Sequence, residues 1–569
     1  MENLKKFFFL INQKNTILFG LFLLFFFSSI FEVLGISLLG GYLAYLTNFQ
    51  INEDSALGEI FKILNTIGIE IPSTNSLAIL IILILFIRFF FQIIANYLIL
   101  DVATKTSKNL REKLINTYFN LNYLDFVNKD SSSSYNEITV LTDQFTNLFQ
   151  VSLKLSSDLI LLLFIISMLF LVNAQIFLFL FFTFSFLFLL NKFVFSKKIS
   201  NLGASANNLS ENIFKNLKEG LSSFKQIKVL KKTSFVIQNI EGSLKKYAKL
   251  AVKYNFYLLF VRYLVELFIA LTLIIIATLI YSSNDKNNAL VMVTIFGISA
   301  IRSLPLVTNL INSMNVLFYS KNAINKLYHS VNLNKINDDD KNKDKFEENF
   351  EFKSLEIKDL NFGYNNFNLL KSINFKIETG DLTFITGPSG CGKTTLLDII
   401  CGLIKPNKGR LYINGDESIQ KLNSFRNKIY YLSQKNFIIN DTLEHNIAFT
   451  HKKIDSVKLN TAIRLSGLEN FYTKIQENSL KNLGEDASKI SGGEMQRISL
   501  ARALYSDKKI FILDEFTSSL DDENEKKIFE TILELNKFKT MIIVSHKMQF
   551  ISLVKKAYKI ERNGLIKIK

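Results

Sequence analysis

The sequence predicts an α-helical transmembrane domain of six spans with long cytoplasmic helical extensions, followed by an α/β domain that carries a P-loop. Hydrophobic residues make up 49% of the 569-residue chain, and Phe alone numbers 54. This apolar content is too high for a soluble chain with 21% charge unless it is concentrated in membrane-spanning blocks. After residue 350 the pattern changes to short apolar strands separated by helices. We expect residues 1–330 to form the membrane domain, 331–350 a polar linker and 351–569 the α/β domain.

Apolar segments of the membrane domain predict the individual spans. Several exceed the roughly 20 residues that a helix needs to cross the hydrocarbon core. The six segments are 16–47, 77–104, 156–172, 174–196, 254–282 and 289–315. Only a short polar break at Asn173 separates the third from the fourth, which favours a helical hairpin. The first eleven residues are basic and aromatic, which is typical of a stretch that lies at the membrane interface.

The distribution of lysine predicts the orientation. The net charge of +17 fits either a nucleic-acid-binding protein or a membrane protein with basic cytoplasmic loops. The loop 197–253 contains 12 lysines, whereas Lys62 is the single basic residue of the loop 48–76. This contrast predicts that both termini are cytoplasmic in a multi-pass inner-membrane protein, and that nucleic acid is not a partner.

The loop 48–76 predicts a short external helix after the N-capping pair Asp54-Ser55. Its apolar positions at helical spacing are Leu57, Ile60, Phe61, Leu64 and Ile67. Two interpretations stay open: the apolar face packs on the other spans, or it contacts lipid tails.

A phosphate-binding loop follows a predicted strand and precedes a predicted helix. The loop consists of Gly387, Pro388, Ser389, Gly390, Cys391, Gly392, Lys393 and Thr394, with Thr395 next in the helix. Its glycines let backbone N–H groups curl around phosphates, and the helix N-terminus adds positive potential. Lys393 supplies a point charge, and Thr394 supplies a hydroxyl ligand for Mg²⁺. The loop therefore predicts nucleotide binding.

Two carboxylates end a buried strand later in the chain. Asp514 suits a Mg²⁺ ligand, and Glu515 suits the polarisation of an attacking water. His546 follows another apolar strand, and at the edge of such a sheet it can reach a γ-phosphate. The alternative, an ordinary strand end with solvated acids, is disfavoured after a phosphate-binding loop.

The segment Ile490-Ser-Gly-Gly-Glu-Met-Gln-Arg497 resembles the signature motif of ATP-binding cassette (ABC) proteins. The other cassette motifs are matched by Asn361-Phe-Gly-Tyr364, the P-loop, Tyr431-Leu-Ser-Gln434, Asp514-Glu515, Ser518-Ser-Leu-Asp521 and Ser545-His546. Six spans followed by one cassette resemble the half-transporter layout of ABC exporters. The resemblance covers the whole chain and implies hydrolysis of ATP with Mg²⁺, coupled to transport.

The resemblance also implies roles for these residues. Two chains in a homodimer would hold each ATP between one P-loop and the signature residues of the other chain, Ser491, Gly492, Gly493 and Glu494, with Asp521 nearby. Tyr364 would stack on adenine. Glu515, His546 and Gln434 would serve catalysis, and Gln434 would also sense Mg²⁺ and bear on coupling helices near Leu121–Val127 and Glu219–Lys225.

The signature segment departs from the family pattern, and its first residue, Ile490, replaces the common Leu. Glu494 stands where the family usually has Gln. A carboxylate there is expected to alter the hydrolysis rate or the communication between sites without abolishing either. Cys391 within the P-loop is interpreted as a tolerated small residue rather than a redox switch.

Ionisable residues within the spans are energetically expensive and point to a substrate cavity. They are Glu32, Arg88, Arg262, Glu266 and Arg302. Arg262 can pair with Glu266 on one helix face, and Glu32 can pair with Arg88 between helices. This leaves Arg302 unmatched, and a cationic cavity would suit a phosphate or pyrophosphate headgroup.

The membrane half also resembles bacterial lipid-linked oligosaccharide flippases of the PglK type. The similar segments are Phe31-Glu32 with Gly35-Ile-Ser, Arg262-Tyr-Leu-Val-Glu266, Arg302 with Pro305, and Leu317-Phe-Tyr-Ser-Lys. This resemblance implies outward movement of a polyprenyl-pyrophosphate-linked glycan across the inner membrane, with membrane lipids as surroundings.

Other function classes remain to be separated. An exporter of another lipid, a drug or an amphiphile would share every cassette residue. A membrane sensor without transport would not need Glu515 and His546. The fused layout argues against an importer, and the short segment before the first span argues against a peptide exporter with an N-terminal protease domain.

Overall fold

A computed structural model of the chain describes residues 2–11, 15–46, 74–172, 174–282, 286–337, 347, 349–364, 367–434, 436–450, 452–477, 482–484, 490–516, 522–537, 539–561 and 564–569. These residues form two compact units. One comprises Met1–Leu121 with Phe126–Ile336, and the other comprises Asn122–Asp125 with Asn337–Lys569. We call them the membrane unit and the cassette unit.

The described residues among the first 337 form long helices joined by a few short ones. Their bounds are Glu2–Ile11, Asn15–Leu46, Thr74–Phe119, Tyr123–Asn128, Ser131–Asn136, Thr142–Val172, Ala174–Leu190, Ser196–Ser222, Phe224–Val229, Thr233–Ser282 and Lys286–Asn337, with π-helical turns at Glu137–Leu141 and Asn191–Phe195. The helix Lys286–Asn337 has 52 residues and is about 78 Å long at 1.5 Å per residue, far more than a bilayer core of about 30 Å. The predicted long helical extensions are therefore present.

Each predicted span falls largely within one of these helices. Four helical segments of the described chain are long and apolar enough to cross a membrane: Thr16–Gly35, Ala78–Phe119, Ser131–Ser167 and Thr233–Ile275. The predicted fourth and sixth spans include side chains outside the described set, so the count of six stays a prediction. The predicted external helix within 48–76 also lies outside the described residues.

The N-terminal helix Glu2–Ile11 is amphipathic. Phe7, Leu10 and Ile11 are buried in the core of the membrane unit, where the Phe7 ring packs on Phe145 at a centroid distance of 5.6 Å. Phe8, the next residue after Phe7, is 64% exposed. The predicted interfacial stretch is thus anchored in protein through one face, while its other face is open.

The cassette unit contains two sheets. Its strands are β1 Ser354–Tyr364, β2 Phe367–Glu378, β3 Leu382–Thr386, β4 Lys408–Ile413, β5 Ile429–Leu432, β6 Ile510–Asp514, β7 Thr540–Val544, β8 Lys556–Glu561 and β9 Gly564–Lys567. An antiparallel sheet has the order β2-β1-β4. The larger sheet has the order β5-β6-β7-β3-β8-β9, in which all neighbours except β8 and β9 are parallel.

The helices of the cassette unit pack on the sheets, except for the three between Leu443 and Glu477, which form a separate apolar cluster with the helix Gly492–Tyr505. The bounds of all of these helices are Lys393–Ile400, Ile419–Asn427, Leu443–Ala448, Ser456–Leu465, Glu469–Glu477, Gly492–Tyr505 and Asp522–Asn536, with a 3₁₀ helix at Met548–Leu553. Every residue of β3, β6 and β7 is buried, as expected for parallel strands covered on both faces. Because these three strands are adjacent and parallel, the segments that follow them meet at one edge of the sheet. The predicted α/β domain is confirmed.

Candidate functional site

The phosphate-binding loop lies between β3 and the helix Lys393–Ile400, as the sequence predicts. The side chain of Lys393 is buried within the loop, and its Nζ donates to the carbonyl oxygens of Gly387 at 3.0 Å and Pro388 at 3.1 Å. Gly392 has a φ of 101°, and a Cβ atom there would come within 2.9 Å of a leucine side chain. Only glycine fits without strain. The lysine charge is therefore held inside a curled loop suited to phosphate.

A second group of residues surrounds the end of β6. Oδ2 of Asp514 accepts a hydrogen bond from the Thr394 hydroxyl at 3.0 Å and another from the Tyr431 hydroxyl at 3.0 Å. Burial raises the pKa of Asp514, and the two hydroxyl donors oppose that rise. Thr394 and Asp514, two of the three residues predicted to bind Mg²⁺, are thus in direct contact, whereas the third, Gln434, contacts Glu515. A hydroxyl beside a carboxylate suits this hard cation.

A third group forms around Glu515. Its Oε2 accepts a hydrogen bond from Gln434 Nε2 at 2.7 Å, and its Oε1 lies 2.9 Å from His546 Nε2. Lys393 Nζ is 3.2 Å from the same histidine nitrogen and 3.8 Å from Glu515 Oε1. Glu515 has a φ of 49°, a strained backbone conformation that turns the chain sharply after β6. All three predicted catalytic residues therefore converge beside the phosphate-binding loop.

Sequence reasoning missed two residues of this site. Tyr431 was seen only as part of the motif before Gln434, yet burial raises the pKa of its hydroxyl, which stays protonated and donates to Asp514. Asp398 lies in the helix after the P-loop and is 6% exposed. Burial, with a smaller contribution from the Asp514 charge, raises the pKa of Asp398 to about 6. A carboxylate in that helix gave no signal because its spacing matches no motif.

We predict that Tyr431→Phe raises the Mg²⁺ concentration for half-maximal ATPase activity by about fivefold. The ring is kept, but Asp514 loses one of two hydrogen bonds that orient it, and a bond to a charged group contributes about 1.5–3 kcal/mol at most. Titration of ATPase activity with Mg²⁺ measures the shift. Tyr430→Phe is the matched control, since its hydroxyl donates to the Ser499 carbonyl instead. Equal shifts in both variants would contradict the assignment.

The signature segment begins the 14-residue helix Gly492–Tyr505. Ser491 is the N-cap, and its Oγ accepts a hydrogen bond from the Glu494 backbone N–H at 3.3 Å. The Glu494 carboxylate accepts in return from the Ser491 backbone N–H at 2.7 Å and from the Ser491 hydroxyl at 2.9 Å. The departure from the family pattern thus closes a capping box.

The remaining residues predicted to bind the nucleotide differ in their exposure to solvent. Tyr364 ends β1, and its ring is 45% exposed, as a stacking platform requires. Ser389 and Gly390 are exposed in the loop, Cys391 is half-buried and Thr395 is buried. Asp521 lies outside the described residues. The short helix Tyr123–Asn128 overlaps the first predicted coupling position, Leu121–Val127. The second, Glu219–Lys225, covers the end of the long helix Ser196–Ser222 and only the start of the short helix Phe224–Val229.

The five ionisable residues that the sequence analysis placed in a substrate cavity form ion pairs. Glu32 is buried, and its Oε1 lies 2.7 Å from Arg88 and 3.7 Å from Arg302. Nε of Arg262 donates to Glu266 at 2.9 Å on an exposed helix face. Both predicted pairs are present. The prediction that Arg302 is unmatched is wrong, because Arg88 and Arg302 share one carboxylate.

The sequence analysis also omitted Asp158. This residue is 9% exposed in the helix Thr142–Val172, and its Oδ2 accepts from Asn309 Nδ2 at 3.2 Å. Asp158 lies within the predicted third span, so the sequence analysis undercounted the acids there. Around Glu32, two arginines lie near a single carboxylate.

One unit contains helices long and apolar enough to span a membrane, and the other assembles a P-loop, a buried carboxylate and a Glu–His pair. This combination defines a membrane protein with an ATP-binding cassette. The family model described as the ABC transporter transmembrane region matches residues 18–303, and the ABC transporter model matches residues 370–518. The chain belongs to the ABC transporter family. The predicted layout of one membrane region followed by one cassette is confirmed.

Individual proteins are similar over parts of the chain. The ATP-dependent lipid A-core flippase of Saccharophagus degradans is 35% identical over 200 residues, which cover 35% of this chain and 34% of the flippase. The heterocyst differentiation ATP-binding protein HepA of a Nostoc species is 35% identical over 216 residues, which cover 38% of this chain and 36% of that protein. The chain thus matches about a third of the length of these relatives.

One solved structure is similar over nearly the whole chain. It is a bacterial Atm1-family ABC exporter with ATP bound, with a TM-score of 0.77 and 18% sequence identity, covering 97% of this chain and 94% of that exporter. At this identity the similarity establishes the fold. The predicted exporter-type fold is therefore confirmed.

Proposed function

We propose that this protein is an ATP-driven exporter that flips a lipid-linked oligosaccharide, carried on polyprenyl pyrophosphate, across the bacterial inner membrane by alternating access. The use of ATP hydrolysis to drive export is supported by the convergence of Glu515, His546 and Gln434 beside Lys393. The observation that carries the substrate part is the cluster of Arg88 and Arg302 around Glu32. The similar protein named as a lipid A-core flippase supports a lipid substrate.

The cassette residues fit hydrolysis of Mg²⁺-ATP. Lys393 and the loop N–H groups would bind the phosphates, and Thr394 with Asp514 would hold Mg²⁺, which neutralises phosphate charge. Glu515 would accept a proton from the attacking water, while Gln434 and His546 keep its carboxylate in position. Because Ser491 belongs to a motif that completes the site of a second chain, the active form is proposed to be a homodimer.

The arginine cluster fits an anionic headgroup. Glu32 is 8% exposed, but Arg302 is 43% exposed, and its contact with Glu32 is 3.7 Å long. Nε of Arg88 is buried and has no hydrogen-bond partner among the described residues. Two guanidinium groups therefore have donors left over after they neutralise one carboxylate, and guanidinium forks match the oxygens of pyrophosphate.

The direct test is ATP-dependent flipping of a short polyprenyl-pyrophosphate oligosaccharide in proteoliposomes. Flipping by the wild-type protein, and none by a Glu515→Gln control, would support the proposal. Healthy ATPase activity without flipping of this lipid would overturn the substrate and move the assignment to another lipid or amphiphile. No ATPase activity at all would overturn the exporter mechanism.

We predict that Arg302→Ala lowers flipping at least tenfold while ATPase activity in the absence of substrate changes less than twofold. Arg302 is the more exposed partner of Glu32, so its loss removes a headgroup donor and leaves the Arg88–Glu32 pair intact. Flipping and phosphate release are measured on the same preparation. Arg262→Ala is the control, because it removes an arginine from a pair on an exposed helix face. Parallel losses of flipping and ATPase activity in Arg302→Ala would indicate a structural arginine.

A further inference from the structure

At the N-terminus of the signature helix, one carboxylate oxygen accepts two hydrogen bonds from the same residue. Oε2 of Glu494 accepts both the backbone N–H and the hydroxyl of Ser491, at 2.7 and 2.9 Å. Ser491 is exposed and Glu494 is half-buried, so the pair lies at the surface of the cassette unit. In this arrangement the single hydroxyl proton of Ser491 is committed to Glu494.

We propose that Glu494 is a positioning residue that holds the Ser491 hydroxyl until a γ-phosphate displaces it, and that its charge raises the ATP concentration at which two cassettes close. This inference rests on the proposed function, since it requires Ser491 to face an ATP bound by a second chain. It adds a regulatory role for one residue to that mechanism.

The exchange needs no movement of the serine oxygen. Ser491 Oγ caps the helix by accepting from the Glu494 N–H at 3.3 Å, and this bond persists while the hydroxyl proton rotates from the carboxylate toward an anion. The capping box therefore survives closure through its two backbone N–H contacts. What changes is that one charge-assisted hydrogen bond to Glu494 is replaced by one to phosphate.

The charge of Glu494 opposes that exchange. A helix N-terminus attracts an anion through its partial positive charge, but a carboxylate in the first turn already occupies that potential. A glutamine at this position closes the same capping box through its amide oxygen, without the charge. Glutamate thus preserves the local structure and adds repulsion between like charges when the γ-phosphate arrives.

The test compares Glu494→Gln with its parent in full-length Glu515→Gln protein, where bound ATP is not consumed. The readout is the ATP concentration for half-maximal retention of labelled ATP after rapid gel filtration. We expect Glu494→Gln to lower this concentration on the order of tenfold at low salt, and the difference to shrink as ionic strength rises. Thermal unfolding should be unchanged, because glutamine keeps the cap.

The matched control is Glu469→Gln, which removes a first-turn carboxylate from the exposed N-terminus of another cassette helix, Glu469–Glu477. A change below twofold in the half-maximal ATP concentration of Glu494→Gln, or an equal change in Glu469→Gln, would overturn the role of Glu494. The proposal that two chains hold ATP between them would remain. Failure of the parent and of every variant to retain ATP would overturn the proposal that ATP is held between two chains. Loss of retention in Glu494→Gln alone would mean that the carboxylate assists closure, which also contradicts the proposal.

Discussion

Replacing Glu515 with Gln should lower the rate of ATP hydrolysis by about 10²–10⁴-fold, the contribution of a well-placed general base. The amide has the shape of the carboxylate but cannot take a proton from water. Glu515 is also held at both oxygens, by Gln434 at 2.7 Å and His546 at 2.9 Å, so its position is fixed before the reaction. Lys393 and Asp514 are unchanged, and the variant should still bind Mg²⁺-ATP.

Phosphate release at saturating Mg²⁺-ATP measures the rate, and retention of labelled ATP measures binding. Glu530→Gln is the matched control, because Glu530 is exposed on the helix Asp522–Asn536. It should hydrolyse ATP at the wild-type rate. A Glu515→Gln rate within threefold of wild type would remove Glu515 from the role of base. Loss of ATP retention in the same variant would instead mean that the carboxylate is needed to organise the site.

Much of the nucleotide site was predictable because its parts are local. The P-loop, the Asp514-Glu515 strand end and His546 each pair a short apolar strand with a polar residue at its carboxyl end. Since parallel strands bring those ends to one edge, their convergence needed no further information. The contact of Tyr431 with Asp514 was not predictable, because it depends on β5 lying beside β6 and the two strands are about 80 residues apart in the chain. No local pattern encodes that neighbour.

Side-chain pairing in the membrane unit was predictable only within one helix. Arg262 and Glu266 are one turn apart, so their contact follows from helical geometry. The sharing of Glu32 by Arg88 and Arg302 depends on three separate helices. Asp158 stands near the start of an apolar segment, where an acid ordinarily marks the end of a span. The helix begins at Thr142, however, so the chain is helical for four turns before this residue.

The arrangement around Glu32 predicts the largest effect on stability. Arg88→Ala should destabilise the membrane unit by about 3 kcal/mol, because removing one partner of a buried ion pair leaves an uncompensated charge. Arg302, at 3.7 Å, keeps part of the compensation, which places the loss at the lower end of the usual 3–5 kcal/mol. The measurement is thermal unfolding of the full-length protein in detergent.

Two further variants separate this mechanism from simple loss of packing. Arg262→Ala removes an arginine whose side chain is 60% exposed, and it should cost at most about 1 kcal/mol. Adding Glu32→Gln to Arg88→Ala should restore most of the lost stability, since the buried charge is then gone. If the double variant is no more stable than Arg88→Ala, the cost arises from the cavity that the arginine side chain leaves.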